Sequence, residues 1–145
     1  QRGVNVLDRN RLSIEHRFNG VVLMGKKSPT QKVKIGLDKL TRQIALNEAN
    51  NMCEHCLSTE ILQANHIIPR TVEAMRWDHR NIVILCRKCH LYWWHKDIVA
   101  AYEWVSSIRD LNWLKLRRGV AETTRDKPDL QATKLYLENE LEAAG

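Results

Sequence analysis

No stretch of the chain stays apolar for the roughly 20 residues a bilayer span requires, and no signal-peptide pattern opens it. Low-complexity tracts are absent, and nothing repeats internally beyond two short cysteine turns. Cysteine itself is scarce: four residues, arranged as Cys53-x2-Cys56 and Cys86-x2-Cys89, with none left over. Lacking a leader, a chain with paired cysteines points to metal ligation rather than disulfides, and so to a reducing cytoplasmic setting. At 145 residues the chain is long enough to bury a core of its own, so the cysteines need not replace one. A single domain with small appendages is the expectation.

The charge is uneven. Lys and Arg outnumber Asp and Glu by 10 to 4 over residues 1–50 and by 10 to 7 over 51–119, but are outnumbered 3 to 6 over 120–145. A basic surplus in the N-terminal and central parts suits a polyanionic partner, through phosphate neutralisation and counterion release. A well-solvated basic surface explains the same count.

Along the chain, Asn19-Gly20 lies between β-favouring residues of segment 11–24 and predicts a hairpin. Residues 25–36 read as a basic loop or linker. Leu37, Leu40 and Ile44 share one face of a helix expected over about 37–48. Short strands are expected at 61–65 and 82–85, with an irregular loop between them that has room for a helical turn at 72–77. Helical character should resume from Lys88. Further helices are expected at 97–108, at 111–116 with an end at Gly119, and at about 129–143.

Two CxxC turns present four thiolates, the complete tetrahedral shell of a structural zinc, with Zn–S bonds of about 2.3 Å. Such a site has no open position, and its task is to clamp residues 53–56 to residues 86–89. His55 and His90 are alternative ligands by proximity alone.

Between and against these turns lie Asn65-His66-Ile67-Ile68-Pro69, then Asn81 fifteen residues after His66, then His90 nine after Asn81. This arrangement resembles the HNH (ββα-metal) endonucleases, in the branch supported by a four-cysteine zinc. The stretch Ala74-Met75-Arg76-Trp77-Asp78, with the aromatic residues after His90, is similar to small phage-type HNH proteins, the NinG-type recombination nucleases among them. The resemblance implies an α+β fold: a small zinc-stabilised ββα-metal core with flanking helices and an N-terminal β-hairpin. It divides the chain into a basic extension (1–36), a zinc-supported nuclease domain (37–119) and an acidic helical tail (120–145).

The implied activity is metal-dependent hydrolysis of DNA phosphodiester bonds in phage-type DNA processing or recombination. His66 matches the general base, His90 the helix-borne ligand of a catalytic divalent metal (Mg²⁺, Mn²⁺ or Ni²⁺), and Asn81 the residue that ties the loop and positions the base. Asn65 stands where the family often has Asp or His as a direct ligand; its amide oxygen can coordinate but brings no charge. Arg70 is the first choice for a cation on the scissile phosphate. His95, five residues after His90, misses α-helical alignment and ranks below it. Trp94 is the tryptophan placed to wall the site, and the others suit core packing. DNA is the implied partner, with a homodimer or a phage protein left open, and the bacterial host cytoplasm is the setting if the chain is phage-encoded. The alternative is a catalytically inactive zinc module that binds nucleic acid or a phage assembly partner. A colicin-like toxin fits the His and Asn spacing but not the four cysteines.

Overall fold

The computed structural model describes residues 25–125 and 127–144. The expected hairpin at 11–24 lies outside these residues. The fold is α+β, with a two-stranded antiparallel sheet among helices.

Helix α1 runs from Pro29 to Glu48, eight residues earlier than the apolar spacing alone predicts. The missed signal is local. Ser28 caps the helix in a reciprocal capping box with Gln31, and Pro29 occupies the first turn, where its missing N–H costs nothing. Much of the stretch expected to be linker is therefore helix. After Glu48 the chain turns through Asn50 and Asn51, both left-handed (φ 51° and 54°), a conformation asparagine tolerates better than most residues. That turn delivers the first cysteine pair.

Strand β1 (Leu62–His66) pairs with β2 (Ile82–Cys86) in the register Leu62↔Cys86 to His66↔Ile82. The loop between them holds helix α2 (Glu73–Arg76) and a tight turn over His79–Asn81. Every residue of β2 is buried, because both faces of the strand are covered. Ile82 and Ile84 meet Ala45 and Leu46 of α1, while Val83 and Leu85 join Cys53 and the residues Val105 and Leu114 farther along the chain. The outer edge of β2 is closed by Glu54. Its backbone N–H donates to Ile84 O (2.9 Å), and its Oε2 accepts from Ile84 N (2.7 Å). The other carboxylate oxygen accepts from Arg109, which also donates to Ile82 O. An exposed strand edge is thereby covered.

Beyond β2 come α3 (Arg87–Cys89), a π-helical turn over His90–Trp94, α4 (Ile98–Ile108), α5 (Leu111–Thr124) and α6 (Leu130–Ala144). Asp97 and Asp110 cap α4 and α5 with their carboxylates. Helix α5 passes through Gly119 instead of ending there. A helical glycine costs only about 1 kcal/mol, and the actual stop is Arg125 in a left-handed conformation (φ 52°). Helix α6 lies against α1, where Leu137 is fully buried with Leu37, Ile44 and Trp77. No helix among the described residues is long and apolar enough to cross a membrane.

Candidate metal centre and histidine cleft

The four cysteine sulfurs all lie within 4.8 Å of one another. No pair is bonded as a disulfide, and Cys56 Sγ and Cys86 Sγ stand 3.6 Å apart. A tetrahedral zinc with bonds of about 2.3 Å needs sulfur–sulfur edges of about 3.8 Å, so the cluster fits that ion closely. Burial works against a thiolate at Cys86, but the Cys89 N–H and the neighbouring thiols hold its pKa down to about 7. His55 does not enter the cluster as a fifth ligand. Its Nδ1 lies 3.4 Å from Cys89 Sγ, its ring stacks on Trp93 at 3.7 Å, and Trp104 meets it edge-on. Trp93 and Trp104 thus pack the histidine that supports a cysteine.

His66 is the last residue of β1, not the first after it. It is half-buried, and its Nε2 lies 2.9 Å from the backbone oxygen of Arg76. A carbonyl only accepts, so Nε2 carries the proton and Nδ1 keeps its lone pair. Burial and the nearby Arg70 charge lower the His66 pKa below its ordinary value, against the opposing pull of the Arg76 carbonyl and Asp38. The ring is therefore neutral at neutral pH.

The loop carrying Arg76 is fastened twice. Asn81 is fully buried and spends its whole amide on backbone: Oδ1 accepts from Ile68 N (2.7 Å), and Nδ2 donates to Ile68 O (2.9 Å) and Met75 O (3.0 Å). From the other side, Asp38 of α1 accepts two bonds from the Arg76 guanidinium (2.9 and 2.7 Å) and one from the Trp77 indole (2.9 Å). Burial disfavours the Asp38 carboxylate, but these bonds and the charges of Arg76 and Arg70 leave its pKa lowered. Nothing in the sequence near Asp38 signals this role, since its partners lie 38 and 39 residues away.

A cavity of about 390 Å³ brings Asn65, His66, Arg70, Arg76 and His90 together, with Asp38 on its rim. Arg70 is exposed and makes no ion pair among the described residues, whereas Arg76 is held by Asp38 and Arg80 by Asp78. Asn65 donates its Nδ2 to Gln63 O (3.0 Å) and, more weakly, to Val83 O (3.5 Å). That orientation leaves Oδ1 without a protein donor among the described residues.

His95 sits closer to His90 than its sequence spacing suggests. The two Nε2 atoms are 2.8 Å apart. In an α-helix, positions five apart diverge around the axis. The π-helical turn over His90–Trp94 widens the helix locally and realigns them. Burial, and then the neighbouring His95, lower the His90 pKa. A neutral imidazole is the form that binds metal.

Residues 53–92 match the family model described as HNH endonuclease. The matched segment runs from the first cysteine of the cluster to just past His90, and it holds the cysteine cluster, both strands, His66 and Asn81. No curated protein and no solved structure matches the chain, so nothing narrows the resemblance to the NinG-type group.

Proposed function

With an HNH endonuclease domain at residues 53–92 as the starting point, we propose that the protein is a metal-dependent DNA endonuclease. The observation that carries the reading is the state of His66: Nε2 is committed to the Arg76 carbonyl and Nδ1 is left as a base in a cavity that also holds Arg70 and His90. In this role Nδ1 takes a proton from the water that attacks phosphorus. The P–O3′ bond breaks, the departing oxygen takes a proton from solvent, and the products are a 5′-phosphate and a 3′-hydroxyl. Arg70 steadies the scissile phosphate by a charge-assisted hydrogen bond. Asn81 touches no substrate; it positions, through Ile68 and Met75, the loop that orients the base.

His90 and His95, with Asn65 Oδ1, are the residues that would hold the catalytic divalent cation, in the class of Mg²⁺, Mn²⁺ or Ni²⁺. Two imidazole ligands favour the softer members of that set. When bound, the cation supplies Lewis-acid stabilisation of the phosphoryl and leaving oxygens. The four-cysteine cluster, lacking an open position, takes no part in the chemistry and holds a structural zinc. A phage recombination setting, with the cytoplasm of the bacterial host as its compartment, follows from the resemblance of the 74–95 region to phage-type proteins.

Nicking of supercoiled plasmid with each divalent ion, against a chelator control, tests the reading. Metal-dependent nicking is expected, with His66→Ala slower by about 10²–10⁴-fold while circular dichroism stays native. Full activity in that variant removes His66 from the role of base. A second reading, a non-catalytic zinc module that binds DNA, draws on Asn65, which brings no charge to the cation site. Salt-sensitive DNA binding without nicking by any ion supports that reading instead.

A further inference from the structure

A second cavity, of about 290 Å³, adjoins the first and shares His66 with it. Its remaining walls are mostly aromatic and aliphatic: Trp94, Ile98 and Tyr102 line it with buried Ala101 and Val105, and the His95 imidazole joins them on the side of the candidate cation site. Ile98 is 77% exposed and Tyr102 51%. Exposed apolar side chains gathered around one cavity, and not scattered singly, mark it as a candidate binding site. Beyond Tyr102 lies a neighbouring groove with Lys115, whose Nζ donates to the Tyr102 hydroxyl at 2.7 Å, and with Arg118, which is paired with Glu122 of the same groove at 2.8 Å.

The succession is therefore a cleft with Arg70 and His66, then a largely apolar aromatic slot, then Lys115 on α5. One strand of nucleic acid has the same alternation of phosphate, base and phosphate. Single-strand sites combine cations that follow the backbone with aromatic faces on which bases stack. The slot is of the size of a small-ligand pocket, with room for one ring system. A base inside a duplex cannot use it, because both faces are already covered by neighbours; only an unstacked base can enter such a pocket.

We propose that this cavity is a nucleobase subsite beside the scissile phosphate, so that the favoured substrate is DNA with an unpaired strand, such as a flap, a fork or a single-stranded stretch. The substrate preference rests on the endonuclease reading; the base-binding site itself does not. The test uses the full chain with two variants. Trp94→Ala removes the stacking face, and Ile98→Glu places a negative charge at the slot from a position exposed enough to leave folding intact.

Two readouts are taken: the ratio of cleavage rates on unpaired and fully paired DNA with Mn²⁺, and the fluorescence of a single-stranded oligonucleotide containing 2-aminopurine, titrated with the zinc-loaded protein in buffer without added divalent metal. The wild type should cut unpaired DNA about tenfold faster or more and change the 2-aminopurine signal on binding. In both variants the ratio should fall toward one and the signal change should be lost. Equal cutting of paired and unpaired DNA by the wild type, or a ratio and signal unmoved in Ile98→Glu, overturns the subsite while leaving the endonuclease reading in place. If no DNA is cut under any condition, the endonuclease reading fails and the fluorescence decides alone. Binding that Ile98→Glu abolishes supports the subsite, and absent or unaltered binding overturns it.

Discussion

The cysteine cluster and the histidine cleft are built on the same pair of strands but are finished in opposite ways. Around the cysteines four sulfurs face one another, enough to fill the shell of a tetrahedral zinc, and His55 supports one of them while itself packed by Trp93 and Trp104. Around His66 positions are left open. His66, Asn65 and Arg70 line a cavity, and Nδ1 of His66, Oδ1 of Asn65 and the Arg70 guanidinium have no protein partner among the described residues. A saturated shell can contribute only to folding, whereas an unsaturated one can bind and react. The polar groups that surround the cleft, Asn81 and Asp38, are themselves fully committed, which is what allows the central ones to stay free without drifting.

The largest expected effect breaks the saturated half. A structural zinc site of this type contributes about 10–16 kcal/mol of binding free energy that is also folding free energy, comparable with the whole stability of a domain. Cys53→Ser or Cys89→Ser, both at buried positions, should abolish cooperative unfolding and release the metal. Thermal melting followed by circular dichroism, with elemental analysis of the purified protein, checks this. A variant that melts like the wild type and holds no zinc would show that the cluster is dispensable.

A smaller effect is expected from the open half. His95→Ala removes one of two imidazoles from the candidate cation site at an exposed position. Folding should be unchanged, while the Mn²⁺ concentration for half-maximal nicking rises by about 10–100-fold. An unaltered metal titration would assign the 2.8 Å His90–His95 contact to a simple hydrogen bond.

The same contrast explains what could be read from the sequence. Features whose partners lie within a turn or two are legible: the two CxxC knuckles, the strand ending near His66 and the capped start of α4 at Asp97. The helix start at Ser28 is equally local, in Ser28-Pro29-Thr30-Gln31, yet Pro29 and the lysines on either side of that stretch suggest a linker. Three further features were not legible, for different physical reasons. Helix α5 continues through Gly119 because one glycine costs too little to stop it. His95 joins His90 only because the helix widens to a π turn, and five-residue spacing under ordinary helical geometry argues against the pair. Asp38 looked like one more charge on the polar side of α1, and only the packing of that helix against the 69–80 loop makes it the anchor of Arg76.

That anchor supports the subtlest prediction, which concerns pH. In the proposed mechanism His66 is a base only while neutral, so nicking should fall on the acid side through a pKa lying below the ordinary value of about 6.5. The same sign applies to stability. A histidine whose folded pKa is lowered contributes stability that is present above the unfolded value and is lost as pH falls through the folded one. Among the influences on His66, burial and the Arg70 and Arg76 charges depress the pKa, while the Arg76 carbonyl and the Asp38 charge raise it. Asp38→Asn deletes one of the raising influences and leaves both arginines less opposed. It also loosens the loop whose carbonyl holds Nε2. The acid limb should therefore move to still lower pH while the plateau rate drops about tenfold, the order expected when a support of a catalytic group is lost. Asp38→Glu, which restores the charge, should return the limb toward its original position even where the plateau stays low. A purely structural role for Asp38 predicts a lower plateau with the limb unmoved, so rate–pH profiles of the three proteins separate positioning through Arg76 from simple helix attachment.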